Sequence, residues 1–223
     1  MAEYFAYVED GYPVPSEITK THRASWETIA GGTRHWSSEQ RLDIARQARA
    51  ARQQRQELPF NRSYPDSLLS TTALEATRTI AADAAKITRA WASKQTLELG
   101  FAPYVELVSI VVTLTAIDGF AEALGRPLES LPAVSSEMPA SAEDEDVTDI
   151  GAYVPMQDPW HGPNVSRALS MVASANALFM SNVAVMYTGK DHDFGEMIWD
   201  GPLSRPQVEL LAARVSSINE CFY

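Results

Sequence analysis

Two residues near the end of the chain have the types and spacing for redox chemistry. They are Glu209 and, twelve positions later, Cys221, the only cysteine among 223 residues. A thiol is reactive when its thiolate is stabilised and a second thiol or a small substrate can reach it. Glu220 beside Cys221 opposes that by raising the thiol pKa, and Phe222 extends an apolar stripe around it. A carboxylate such as Glu209, close to a helix start, is also favoured by the helix dipole without any catalytic reason. The residues alone therefore leave Cys221 open as a packed small hydrophobe, a lone thiol, or half of a pair.

Other chemistries find little footing. His22, His35, His161 and His192 share no ligand spacing with one another or with Cys221, so no metal site and no bound cofactor are expected. Asp191-His192-Asp193 reads as a solvated turn. No glycine-rich phosphate loop and no Gly-x-Ser-x-Gly elbow occurs.

The element that positions Glu209 and Cys221 is the stretch Leu203 to Tyr223, LSRPQVELLAARVSSINECFY. Ser204 with Gln207 has the form of a capping box, and Pro206 suits a first helical turn. Val208, Leu211, Val215, Ile218 and Phe222 then recur at spacings of three and four, predicting one apolar helix face down to the final residues. No capping residue follows Cys221-Phe222-Tyr223, so the helical pattern reads as unfinished.

Upstream, residues 1–14, with Tyr4, Phe5, Tyr7 and Tyr12 around Gly11 and Pro13, read as an irregular arm. Ile18, His22, Trp26 and Ile29 predict a helix ended by Gly31-Gly32, and Ser37 with Gln40 opens a second, rich in arginine and glutamine, whose polar residues are read as a solvated face. Leu58 to Asp66 is a loop. Thr72 and Glu75 open a third helix with a buried stripe of Leu74, Ile80, Ala84, Ile87 and Trp91. A fourth, Tyr104 to Leu124, is apolar on most of its surface and ends at Gly125, the pattern of a bundle centre. A helical pattern returns from Asn164 to about Tyr187, with Met171, Phe179, Met180, Val183 and Met186 read as core. No segment shows a convincing β alternation, so the fold class is all-α.

The acidic Pro/Ser/Ala segment 131–150, containing Glu143 to Asp146, reads as a solvated linker between a first unit, 1–130, and a second, 151–223. Aligning Val105-Glu106-Leu107-Val108 with Val208-Glu209-Leu210-Leu211 suggests a duplicated helical unit. In that register Asp118 falls opposite Cys221, so the first copy lacks the thiol.

Glu209, the intervening helical pattern and Cys221-Phe222-Tyr223 together resemble the alkylhydroperoxidase-like (AhpD-like) branch of the carboxymuconolactone decarboxylase family. That branch carries a glutamate twelve positions before the first cysteine of a Cys-x-x-Cys-x-x-x-His motif. The resemblance implies an AhpD-like helical bundle in two tandem copies, the second truncated, and a homo-oligomer. It implies that Cys221 is the resolving cysteine and that Glu209 relays protons, through water and the motif histidine, to the attacking residue. That residue and the histidine would fall at positions 224 and 228. The expectation is a UGA codon at 224, read as a stop, that encodes selenocysteine; a frameshift or a truncation would leave the resemblance standing.

The implied activity is a thiol- or selenol-dependent peroxidase acting on a hydroperoxide substrate and reset by an external dithiol reductant, with the 223-residue form inactive. Two alternatives stand beside it: a decarboxylase or isomerase acting on a lactone acid through Glu209, and a non-enzymatic helical interaction module. A formal charge of −11 disfavours nucleic acid and anionic membrane surfaces as partners. The apolar run Leu107 to Ile117 is short for a bilayer span and the N-terminus has no secretory pattern, so a cytoplasmic protein is expected.

Overall fold

The computed structural model describes residues 4–7, 13–58, 61–136, 147–162, 164–188 and 202–219. It is predominantly helical, in agreement with the all-α reading. Helix α1 (Ser16–Ala30) ends where Gly31 turns into extended backbone, and α2 (Ser38–Gln53) starts on a complete capping box in which Ser37 and Gln40 satisfy each other's backbone N–H.

The predicted third helix is two helices. Helix α3 (Thr71–Ala82), capped by the Ser70 hydroxyl, stops at Asp83; a short 3-10 turn follows, and α4 (Arg89–Leu99) restarts on the Thr88 cap. The buried face of α3 is made of Ala73, Ala76, Thr77 and Ile80, whereas Ala84 is exposed. The sequence stripe missed the break because Ile87 and Trp91 continue the helical spacing across it.

Gly100, at φ +86°, is the single residue between α4 and α5 (Phe101–Ala123). A side chain is strained at that φ, so glycine permits the tight reversal. Helix α5 is the centre of the bundle and packs against α1, α2, α3 and α4. Leu107, Ile110, Leu114 and Ile117 are fully enclosed, together with Trp26 and Ile29 of α1 and Ile44 of α2. By length and composition α5 passes for a membrane span, but 67% of its most apolar window is buried against the rest of the chain.

Beyond residue 146 the chain forms a minimal antiparallel pair, β1 (Val147–Thr148) with β2 (Met156–Gln157), which the absence of alternation did not predict. The helical pattern after Asn164 resolves into α6 (Asn164–Arg167), a turn with Leu169 at φ 65°, then α7 (Ala173–Val183) and a π-helical extension, Ala184–Thr188. Helix α7 packs on α5 and α1, so Val172, Ala175 and Leu178 belong to the same core cluster as α1 to α5. Met171, Phe179, Met180, Val183 and Met186 are partly buried, and no metal-competent cluster of His, Cys, Asp and Glu occurs among the described residues.

Helix α8 (Arg205–Ile218) begins on the predicted Ser204–Gln207 capping box with Pro206 in its first turn. It ends at Ile218 with Asn219 as its C-cap, earlier than the apolar pattern through Phe222 implied. The stripe is also not buried: Leu211, Val215 and Ile218 are 56–61% exposed, Val208 is half-buried, and α8 has no buried residue.

Candidate functional site

Of the two residues that could carry redox chemistry, Glu209 lies within the described residues and Cys221 lies outside them, as does the Asp191-His192-Asp193 turn. Glu209 sits in the second turn of α8 and is exposed. One carboxylate oxygen is 3.8 Å from Arg205 Nε, four residues earlier, and 3.5 Å from the Tyr187 hydroxyl at the end of the π-helical extension. Tyr187 was not singled out by sequence. It stands 22 positions from Glu209 in the sequence, a separation that spacing within one helix does not reach.

The counterparts of this pair in the 103-residue register are built quite differently. Glu106 is buried on α5, where its Oε2 accepts from the Thr33 hydroxyl at 2.6 Å and lies 3.8 Å from Arg41 Nη1. Arg41 is itself 3% exposed, and burial pulls its pKa down to about 10 against the opposing pull of Glu106. A second Arg41 nitrogen donates to the Thr28 carbonyl at 3.1 Å. Asp118, opposite Cys221 in the same register, accepts from Arg49 Nε at 2.8 Å and Nη2 at 2.7 Å, with Arg52 at 3.7 Å. Both first-half carboxylates therefore close ion pairs with α2.

These pairs correct the reading of α2 as a helix with a solvated polar face. Arg41, Asp43 and Gln47 are buried. Asp43 accepts from the Leu68 N–H at 2.5 Å and the Ser67 hydroxyl at 2.8 Å, and Gln47 bridges the Pro65 carbonyl to Arg78 at 2.9 and 2.7 Å. The cause is the position of α2, sandwiched between α1, α3 and α5, so its polar residues satisfy loop backbone and buried charges instead of water.

His22 is the one fully buried histidine among the described residues. The Tyr7 hydroxyl lies 2.9 Å from Nδ1 and the Met186 sulfur 3.4 Å from Nε2. The rings of Phe5 and Phe120 meet it edge-on at 5.3 and 5.5 Å. Desolvation lowers its pKa to about 4, and the hydroxyl and thioether suit a neutral imidazole. This is a packed core histidine that clips the N-terminal arm and the end of α7 to α1.

A hollow of about 480 Å³ lies between α4, the start of α5 and the loop 149–155. Its apolar walls are Leu97, Phe101 and Tyr153. Arg89 crosses its edge, donating to the Gly151 and Ala152 carbonyls at 2.5 and 2.8 Å and stacking 5.1 Å from the Tyr153 ring. No thiol, histidine or buried carboxylate lines it. No family model, no curated protein and no solved structure matches this chain.

Proposed function

We propose that α8 is the approach to a redox motif and that the chain belongs to a thiol- or selenol-dependent peroxidase of the alkylhydroperoxidase-like kind. The observation that carries this reading is the placement of Glu209 in the second turn of a capped helix, with the sole cysteine twelve positions further on. The match of Pro206, Val208 and Glu209 with Pro103, Val105 and Glu106 of α5 supports a duplicated unit in which the second copy keeps an exposed carboxylate and a thiol.

In this mechanism a thiolate or selenolate at position 224 attacks the outer oxygen of a hydroperoxide. The O–O bond breaks, the alcohol leaves with a proton, and position 224 becomes a sulfenic or selenenic acid. The Cys221 thiol condenses with it, forming an S–S or Se–S bond and releasing water. An external dithiol then reduces that bond and is itself oxidised to a disulfide. Glu209 serves as the proton relay to position 224, through water and a histidine at position 228. In this reading Cys221 supplies the resolving thiol and Glu209 the relay carboxylate.

Two experiments test the reading. Sequencing downstream of codon 223 should find UGA followed in frame by three codons and a histidine codon; without them the selenocysteine assignment fails. A chain extended through position 228 should reduce an organic hydroperoxide at the expense of dithiothreitol, and robust turnover by the 223-residue chain would contradict the mechanism. The exposed stripe of α8 favours a second reading, a non-enzymatic helical interaction module. Peroxide titration of the extended chain separates the two: a fast loss of the thiol or selenol at position 224 that ends in a bond to Cys221 supports redox chemistry, and a Cys221 that forms no such bond supports the module.

A further inference from the structure

Residues 4–7 lie against α1 and the end of α5, pinned by side chains from both sides. The Phe5 N–H donates to Glu129 at 2.7 Å, Arg23 Nε donates to the Tyr4 carbonyl at 2.7 Å, and the Tyr7 hydroxyl lies 2.9 Å from His22 Nδ1. The Phe5 ring, 3% exposed, meets Trp26 edge-on at 4.8 Å, and the Tyr7 ring meets Phe120 at 5.9 Å. Both rings also close on the imidazole of His22, which they help to seal from water.

Three features mark this closure as imperfect. Phe5 has φ 57°, a left-handed backbone that a bulky side chain keeps only where its surroundings hold it. A hollow of about 110 Å³ remains between Phe5 and Tyr7 on one side and Ile117, Ala121 and Pro127 on the other. His22, finally, is enclosed without a countercharge, so burial sets its pKa at about 4. The charged groups nearby are committed: Asp118 to Arg49, Glu129 to the Phe5 N–H, Arg23 to Tyr4, and Arg126 over the Tyr7 ring at 5.8 Å. From the π-helical extension His22 meets the Met186 sulfur, which carries no charge. A protonated His22 therefore needs water.

We propose that residues 4–7 form a strap that opens locally when His22 takes up a proton, laying bare the aromatic cleft of His22, Trp26 and Phe120 while the helices stay folded. The strap is the weaker cover. It is held by three side-chain hydrogen bonds and two rings, whereas the other sides of His22 are α1, α5 and α7, packed into one core. With the strap open, the His22 pKa returns to its ordinary value near 6.5; closed, it is about 4. The open form thus binds more protons, and the opening equilibrium grows as pH falls through 6.5 and levels off below 4. Between pH 7.5 and pH 4.5 it rises about 70-fold. The inference stands without the peroxidase reading.

Amide hydrogen exchange on the 223-residue chain, corrected for the chemical exchange rate at each pH, tests it. The probes are the N–H groups of Phe5 and Tyr7, which donate to Glu129 and to the Phe5 carbonyl, with Ile110 and Leu114 of α5 as the core reference. The strap amides should exchange through an opening that hardly responds to dilute urea, and their protection should fall about 70-fold from pH 7.5 to pH 4.5. His22→Phe should abolish that step. Tyr7→Phe, which removes one hydroxyl, should lower strap protection about 5-fold at pH 7.5 and keep the step. Strap amides with the protection and urea dependence of Ile110 and Leu114 would mean that the strap opens only with the whole chain, and would overturn the proposal. Equal protection at the two pH values, or a step that survives in His22→Phe, would do the same.

Discussion

Arg49 grips Asp118 with two parallel hydrogen bonds, at 2.8 and 2.7 Å, joining α2 to the central helix α5. The Asp118 side chain is 1% exposed and that of Arg49 13%, so the pair is largely withdrawn from water while the guanidinium also lies 5.6 Å from the Trp26 ring. The same carboxylate is the position that aligns with Cys221. In the first half of the chain this site is a structural clamp.

Removing one partner of such a pair strands the other charge. Asp118→Asn is expected to destabilise the fold by about 3 kcal/mol, at the lower end for a buried pair because Arg49 and Arg52 keep some solvent. The double variant Arg49→Met, Asp118→Leu should recover most of that loss. Urea midpoints at unchanged slope check both, and a single variant as stable as the wild type contradicts the clamp.

The pH dependence of stability should carry the signature of His22. Its pKa is about 4 in the folded chain and near 6.5 when unfolded, so between those values the unfolded chain binds more protons and stability rises with pH. Its contribution is complete above about pH 6.5 and lost as pH falls toward 4, about 3 kcal/mol in all. His22→Phe, which keeps a ring among Phe5, Phe120 and Trp26, should flatten that part of the profile. The check is the difference between wild-type and variant unfolding free energies at pH 7.5 and pH 4.5; equal slopes would show that His22 does not titrate on unfolding.

Gln95 on α4 is fully buried, and neither of its amide atoms has a hydrogen-bond partner among the described residues. Enclosing an unsatisfied amide costs about 1–3 kcal/mol. Gln95→Leu, similar in volume, is therefore expected to stabilise the protein by about 1–2 kcal/mol and raise the urea midpoint. A destabilised variant would show that the amide is satisfied by a group other than those described.

Under the proposed function, Glu209 matters to rate and hardly at all to stability. It is exposed, and its contacts with Arg205 and Tyr187 are long. In a chain extended through position 228, Glu209→Gln should lower kcat for an organic hydroperoxide by about 100-fold, the lower range for loss of a positioned acid–base group. Its urea midpoint should stay put. Stopped-flow peroxide consumption measures the first and denaturant titration the second; an unchanged rate removes Glu209 from the relay.

Much of the architecture was legible in the residues because it depends on local physics. The capping boxes at Ser37 and Ser204, the glycine stop after Ala30 and the apolar mass of α5 act over one or two turns, so spacing and residue type sufficed. The break at Asp83 was missed because Ile87 and Trp91 keep helical spacing through a 3-10 turn. The polar burial on α2 was missed for another reason. Arginine and glutamine look solvated until Asp118, Glu106 and the Pro65 carbonyl arrive from elsewhere in the chain.

The candidate site divides the same way. The sequence alone determined a capped helix from Arg205 with Glu209 in its second turn and Cys221 twelve positions later, because capping and periodicity are encoded within the helix itself. Tertiary structure decided the environments: Glu106 and Asp118 are consumed by arginines across an interface, whereas Glu209 stays open beside Tyr187. Which face of α8 is covered is likewise a matter of what packs there. An amphipathic stripe calls for a covering surface, and only the packing of the described residues shows that Leu211, Val215 and Ile218 stay exposed there.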